Sequence, residues 1–285
     1  MAHGALKPAF FLLCLPLLLS LAFFFGGRGF KADDSLKSDL DMAEKAVKAR
    51  DTGDAEMFYE RYLRKNPAGE QRWNVWHNLL DIALNIRQDK ATAKNYLEIM
   101  LAEYAADPPK RREIQKRLAA VCDELRLYDR AVSLWEALVE DEGAPAEDKA
   151  ACYRELSHAY MRRLEFTMAT EVLDLCLQLD VSPATKADCL YDVAEAAMFT
   201  DDLEKSEKAL RALLDMPEAS PQRRVLAVFM LADVLEQRNR PDEAVRLFES
   251  IRESYPNSKV IELRIAALRG KQAPKKPDVV PVKQR

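Results

Sequence analysis

Small and bulky residues recur along this chain at a spacing that suits one face of a helix. A small residue is followed four positions later by a large one, and three further on by another apolar one. The sets are Ala55/Tyr59/Tyr62, Ala93/Leu97/Met100, Ala131/Trp135/Leu138, Ala169/Leu173/Cys176, Ser206/Leu210/Leu213 and Ala244/Phe248/Ile251. Their leading residues lie 38, 38, 38, 37 and 38 positions apart. A step of four and then three keeps the three side chains on one helical face. The small residue lets a second helix cross closely, and the bulky ones fill the space beyond it.

A partner helix with the same period precedes each set. Thirteen positions upstream of the small residue stand Met42, Leu80, Leu118, Leu156, Val193 and Leu231. Next to them come Ala43, Asp81, Ala119, Ser157, Ala194 and Ala232, and three further on Ala46, Leu84, Cys122, Tyr160, Ala197 and Leu235. The pattern predicts six pairs of amphipathic helices with short polar turns inside each pair, such as Asp51-Thr52-Gly53, Gln88-Asp89 and Asn239-Arg240-Pro241. Prolines at 67, 108, 109, 145, 183, 217, 221 and 256 fall between pairs, where each stops one helix before the next begins. Ser258 is placed to cap a thirteenth helix carrying Val260, Ile261, Ile265, Ala266 and Leu268, which would cover the last open face of a stack.

These residues resemble the tetratricopeptide repeat. Tyr153, Leu156, Ser157, Tyr160, Ala169 and Leu173 follow its pattern, as do Leu231, Ala232, Ala244, Phe248, Ile251 and Pro256. The resemblance covers about residues 35–256 and departs from the family in three ways. The period is 38 where the family has 34. Asp39, His77 and Gln115 stand where a large aromatic is usual, and Asp81 where a small residue is usual. The resemblance implies an all-α, right-handed superhelical solenoid that is a binding scaffold rather than an enzyme. It also implies that the outward positions of the first helices line a concave groove. Those positions include Lys116, Arg154, His158, Met161, Arg162, Tyr191, Met198, Phe199 and Phe229. A basic centre beside an aromatic and Met-rich section suits a peptide or protein segment with acidic and apolar residues. The Lys/Asn carboxylate clamp of some family members is absent, since Ala120 and Glu155 occupy its positions.

The N-terminus has a different pattern. No charge occurs between Lys7 and Arg28, and Pro8–Gly27 reads PAFFLLCLPLLLSLAFFFGG. About 20 apolar residues match the hydrocarbon core of a bilayer as a helix. A cleaved signal has a shorter apolar core of about 7–15 residues. The small-x-small site Ser20-Leu21-Ala22 runs straight into Phe23-Phe24-Phe25. The expectation is a single transmembrane anchor over 8–27 after a tail of 1–7, with 28–34 as linker. A removed signal peptide is the alternative, and Cys14 lacks the small residue that lipidation wants before it. Lys/Arg is nearly balanced across the segment, so orientation rests on one short tail followed by one apolar run. That arrangement places the body outside the cytoplasm.

Charge adds an exclusion. The first 31 residues carry +3 and residues 270–285 carry +4, so the total of −4 leaves −11 on residues 32–269. An acidic body lacks the basic footprint that nucleic acid needs. The tail 271–285 has too much Pro and too little apolar content to pack. Only eight glycines and three histidines occur, too few for phosphate loops or zinc-hydrolase pairs. No cofactor, metal or catalytic residue is expected. Cys122, Cys152, Cys176 and Cys189 have no metal spacing and read as small buried apolar residues, although an exported chain could pair them. Trp76 is expected between repeats, and Trp73 near the first loop. Three functions fit: a membrane-tethered scaffold of envelope assembly, a cytoplasm-facing receptor or co-chaperone, and a cell-wall or polysaccharide binder.

Overall fold

A computed structural model describes residues 29–272. The described residues form thirteen α-helices and no strand: α1 (Gly29–Lys48), α2 (Thr52–Lys65), α3 (Arg72–Asp81), α4 (Lys90–Glu103), α5 (Pro108–Glu124), α6 (Tyr128–Val139), α7 (Ala146–Arg162), α8 (Phe166–Gln178), α9 (Pro183–Phe199), α10 (Leu203–Leu214), α11 (Pro221–Gln237), α12 (Pro241–Ile251) and α13 (Ser258–Gln272). They fall into two compact units, divided within α4 between Tyr96 and Leu97. No described helix is long and apolar enough to cross a membrane. The expected anchor over 8–27 and the tail from 273 lie outside the described residues, while α13 continues through Lys271 to Gln272.

The second-helix register is observed at every repeat. All six leading residues, Ala55, Ala93, Ala131, Ala169, Ser206 and Ala244, are fully buried, and so are the large side chains that follow them. Ser206 keeps its hydroxyl in the core by donating to the Ala194 carbonyl at 2.9 Å, because a buried hydroxyl without a partner is costly.

The turn inside each pair repeats as faithfully. Arg50, Gln88, Arg126, Leu164, Asp201 and Asn239 all have φ between 53° and 63°, the left-handed conformation that usually falls to glycine after a helix. In five turns the following N–H reaches back five residues: Asp51 to Ala46, Leu127 to Cys122, Glu165 to Tyr160, Asp202 to Ala197 and Arg240 to Leu235, at 2.8–2.9 Å. These are Schellman closures, and they satisfy carbonyls that the helix end would leave open.

In the first unit, α1 packs on α2, α2 meets α3, and α3 runs on into a π-helical turn, Ile82–Ile86. Two expectations are corrected here. Met42 is 41% exposed, and the helix is held instead by Ala43, Ala46 and the buried Asp39. Asp39 accepts from Arg61 Nε at 2.7 Å and Lys65 Nζ at 2.9 Å. Burial raises its pKa, but these two cations outweigh burial and hold it below the usual value.

The second correction concerns Asp81 and Leu84. The π turn carries one extra residue, with Arg87 N–H bonding the Ile82 carbonyl. The closure from Asp89 therefore lands on Ala83 rather than Leu84. Leu79, Leu80 and Ala83 face the core, and Asp81 turns to solvent, where Asn85 donates to it at 2.6 Å. Trp76 is buried against Tyr96 at 5.8 Å between ring centroids, and Trp73 lies half-buried against His77 at 4.5 Å.

In the second unit, α5, α7, α9 and α11 are each 17 residues long and alternate with α6, α8, α10 and α12. Three of them begin with a capping side chain and then proline: Asp107-Pro108, Ser182-Pro183 and Ser220-Pro221. The cap satisfies a free N–H, and proline has none to lose. α9 contacts both α7 and α11, so first helices stand side by side on one face. Ile261, Ile265 and Leu268 of α13 are buried, while Val260 is half-buried and Ala266 exposed.

The cysteines correct the sequence reading in one respect. Cys176 and Cys189 are joined as a disulfide between α8 and α9, with Cα atoms 6.2 Å apart. Cys122 and Cys152 are buried and lie outside the disulfide. Burial pushes Cys152 up to about 11, which leaves it protonated and unreactive at neutral pH.

Candidate functional site

The face built by the first helices of the second unit has two stretches. The charged stretch spans α5, α7 and α9. Lys116 pairs with Asp148 at 3.1 Å. Arg162 holds Asp123 through two bonds, at 2.6 and 3.2 Å. Arg154 donates to buried Asp192 at 2.5 Å and reaches Asp188 at 3.3 Å. Asp188 accepts in turn from Arg223 at 2.7 Å, so one ladder ties α7, α9 and α11 together. The cations expected as a basic centre are thus committed to neighbouring carboxylates.

His158 sits inside this ladder. The Glu155 carboxylate 3.8 Å away raises its pKa against the effect of burial, and Asp192 and Glu195 add to the rise. Ligand atoms of His158, Asp192 and Glu195 lie within 4.8 Å of one another. Arg154 already supplies positive charge to Asp192, so the trio is read here as part of the ion-pair ladder rather than as a cation site. Met161, the neighbour of Arg162, is half-buried.

The second stretch lies between α9 and α11 and is open. A cavity of about 490 Å³ is lined by Tyr191, Met198 and Phe199 from α9, and by Leu226, Phe229 and Met230 from α11. Tyr255 follows α12 and closes one side, and Glu195 and Asp233 contribute carboxylates. Four residues singled out by the sequence therefore meet in one cavity: Tyr191, Met198, Phe199 and Phe229. A second hollow of about 410 Å³, lined by Pro221, Val225 and Pro256 among others, shares Leu226 with the first.

The rings are not equivalent. Phe199 is 58% exposed and stacks on Phe166 with centroids 5.0 Å apart. Leu226 is 38% exposed. Phe229 packs edge-on against buried Phe248 at 5.4 Å and stacks on Tyr255 at 4.9 Å, so it is structural as well as accessible. Tyr191 lies under the Arg223 guanidinium at 4.5 Å, a cation–π contact that orients its ring. Large apolar side chains left in water around a hollow mark an interaction surface more often than isolated ones do.

The groove's carboxylates differ too. Asp233 pairs with Arg264 of α13, which also holds Glu236 at 2.7 Å. Burial nevertheless pushes Asp233 up to about 6, with Glu236 adding to the rise and Arg264 opposing it. The Glu195 carboxylate lies within 4.8 Å of the His158 ring and the Asp192 carboxylate, and it adds to the rise in the His158 pKa. Sequence reasoning missed Glu195, Leu226, Met230, Asp233 and Tyr255. The 37–38-residue period pointed to the helices but not to the residues that flank the expected positions.

Residues 226–258 match the tetratricopeptide repeat family model, a span that holds five of the cavity's nine lining residues and the whole of α12. Solved structures share the fold. Nearly identical tetratricopeptide-like repeats from Podosopora anserina align with a TM-score of 0.53 and 18% identity over 73% of this chain and 100% of theirs. PilW, a widely conserved type IV pilus biogenesis factor, gives 0.53 and 12% over 80% and 97%. PilF of Pseudomonas aeruginosa gives 0.51 and 11% over 85% and 99%. At these identities the likeness is one of fold. No curated protein sequence matches the chain.

Proposed function

We propose that this tetratricopeptide-type chain is a membrane-tethered adaptor that holds a segment of a partner protein in the groove between α9 and α11. The observation that carries this reading is the open cavity whose apolar rim, Phe199 and Leu226, stands in solvent. Aromatic anchors tend to dominate binding energy, and helical-repeat faces are suited to extended segments. The apolar run 8–27 is the tether, and the body lies outside the cytoplasm, in the service of envelope assembly or maintenance. Two observations support the compartment. No charge interrupts the run between Lys7 and Arg28. The Cys176–Cys189 disulfide suits an oxidising environment. The fold is also that of PilW, described as a pilus biogenesis factor.

The groove is tested by crosslinking in cells followed by pull-down of the full chain. A Phe199→Ser/Leu226→Ser variant should melt as the parent does and lose most of the crosslinked partner. Unchanged recovery by a normally folded variant rejects the groove. Protease added to intact spheroplasts should digest the body, and a carbonate wash should leave the full chain in the membrane fraction. A protected body would favour the cytoplasm-facing receptor instead.

A further inference from the structure

The groove's charge, rather than its apolar lining, selects the kind of segment it takes. This inference rests on the groove reading above and adds the chemistry of the occupant. Around the cavity and the ladder beside it stand six carboxylates: Glu155, Asp188, Asp192, Glu195, Asp233 and Glu236. They face four guanidiniums, Arg154, Arg162, Arg223 and Arg264, and the imidazole of His158. Each guanidinium is already bonded. Arg154 serves Asp188 and Asp192, Arg162 serves Asp123, Arg223 serves Asp188, and Arg264 serves Asp233 and Glu236. An incoming acid would find every guanidinium there engaged and would meet Glu195, which lines the cavity and shares the His158 imidazole with Asp192 and Glu155.

We infer that the groove takes a basic, apolar peptide segment, in which one or two large apolar side chains enter beside Phe199 and Leu226 while an adjacent Lys or Arg pairs with Glu195. The geometry sets the spacing. Glu195, Met198 and Phe199 occupy neighbouring turns of α9 at steps of three and four, so carboxylate and apolar rim lie on one helical face within about one turn of each other. A segment whose basic residue lies close to its apolar anchor satisfies both at once. The reading from sequence led to an acidic partner because the arginines were counted without their carboxylates. With those carboxylates placed, the surplus charge at the open part of the face is negative. Rim charges of this kind act mainly on association rate and partner choice.

The test is selection from a phage-displayed library of random dodecamers, panned on the immobilised full chain, with the Phe199→Ser/Leu226→Ser variant for counter-selection. The expected result is enrichment of peptides with Lys or Arg near a large apolar residue. Their affinity should fall about tenfold or more in the Glu195→Lys variant, and less at high salt. Enrichment of acidic apolar peptides would overturn the inference and leave the groove reading standing. Apolar peptides indifferent to Glu195→Lys would do the same. A failure to enrich any peptide over the counter-selecting variant would overturn both. Circular dichroism and melting of Glu195→Lys establish whether the reversal at this half-buried position leaves the fold intact.

Discussion

The two stretches of the first-helix face in the second unit meet at α9, yet they differ in what they offer a partner. Across α5, α7 and α9, Lys116, Arg154 and Arg162 are each held by a carboxylate of the neighbouring repeat. Between α9 and α11, Phe199 and Leu226 have no such cover. The difference teaches that a charged residue at an outward position is as readily a bolt between repeats as a contact for a ligand. Aromatics cannot be neutralised in that way. They are either packed, as Phe229 is on Phe248, or left at the surface, as Phe199 is in large part.

The sharpest way to break this comparison is to remove a bolt. Arg154→Ala leaves the nearly inaccessible Asp192 carboxylate without its 2.5 Å donor, and losing one partner of a buried pair costs about 3 kcal/mol or more. Urea melts should show that loss. A shift of under about 1 kcal/mol would mean that the ladder is solvated and that Arg154 is free to bind. Overpacking the crossings with Ala131→Leu or Ala244→Leu should cost about 1–3 kcal/mol, because both sites are fully buried. Glu249→Gln, which removes only an exposed pair with Arg269, should stay within about 0.5 kcal/mol. Equal effects at both kinds of site would show that the 38-residue register is misplaced.

The aromatic stretch divides more finely. Phe229→Ala should destabilise by about 2–4 kcal/mol through the loss of its contacts with Phe248 and Tyr255. Phe199→Ser should cost no more than about 1 kcal/mol, since the residue is 58% exposed. This is why the rim pair, and not Phe229, is the variant for binding assays. Equal melting of the two would place Phe229 outside the core.

A smaller gain is expected at the turns. Leu164 is 74% exposed and holds φ at 63°, a conformation that costs a non-glycine residue roughly 1 kcal/mol. Leu164→Gly should therefore raise stability by up to about 0.5–1 kcal/mol in the same melts. A loss would mean that the Leu164 side chain is held by packing.

Titration gives the mildest effects, with the same sign in the two stretches but in different pH windows. His158 is raised from 6.5, so its contribution is complete below pH 6.5 and is lost as pH rises through its folded value. Asp233 is raised from 3.8 to about 6 by burial. Its protonated form is the one favoured by folding, so stability falls as pH climbs between these values. His158→Ala should flatten the melting profile above pH 6.5, and Asp233→Asn should flatten it between about 4 and 6. A profile unchanged by either substitution would show that the group is freely solvated.

Much of the fold was legible from the spacing of small and large residues, because a helix crossing tolerates only a small side chain and every repeat has to solve the same crossing. Ala55 through Ala244 occupy that position without exception. The exception in the first helices, Asp81 and Leu84, was not legible. A π turn over Ile82–Ile86 rotates these residues while the 38-residue spacing is kept, so periodicity cannot reveal it. The candidate site was half legible. Tyr191, Met198, Phe199 and Phe229 followed from the repeat. Tyr255 and Leu226 did not, since they enter the cavity from a loop and from a flanking helical position.

The sequence by itself determined what depends on periodicity and composition: the helix pairs, their turns, the acidic body and the apolar N-terminal run. Only the tertiary structure decided which charges are spent. Arg154 and Asp192 are 38 residues apart, as are Thr185 and Glu147, which bond at 2.5 Å. One full repeat of separation brings side chains together only when adjacent hairpins stack. Pairwise electrostatics across that distance in sequence is set by the stacking, and so is the negative surplus that gives the groove its choice of partner.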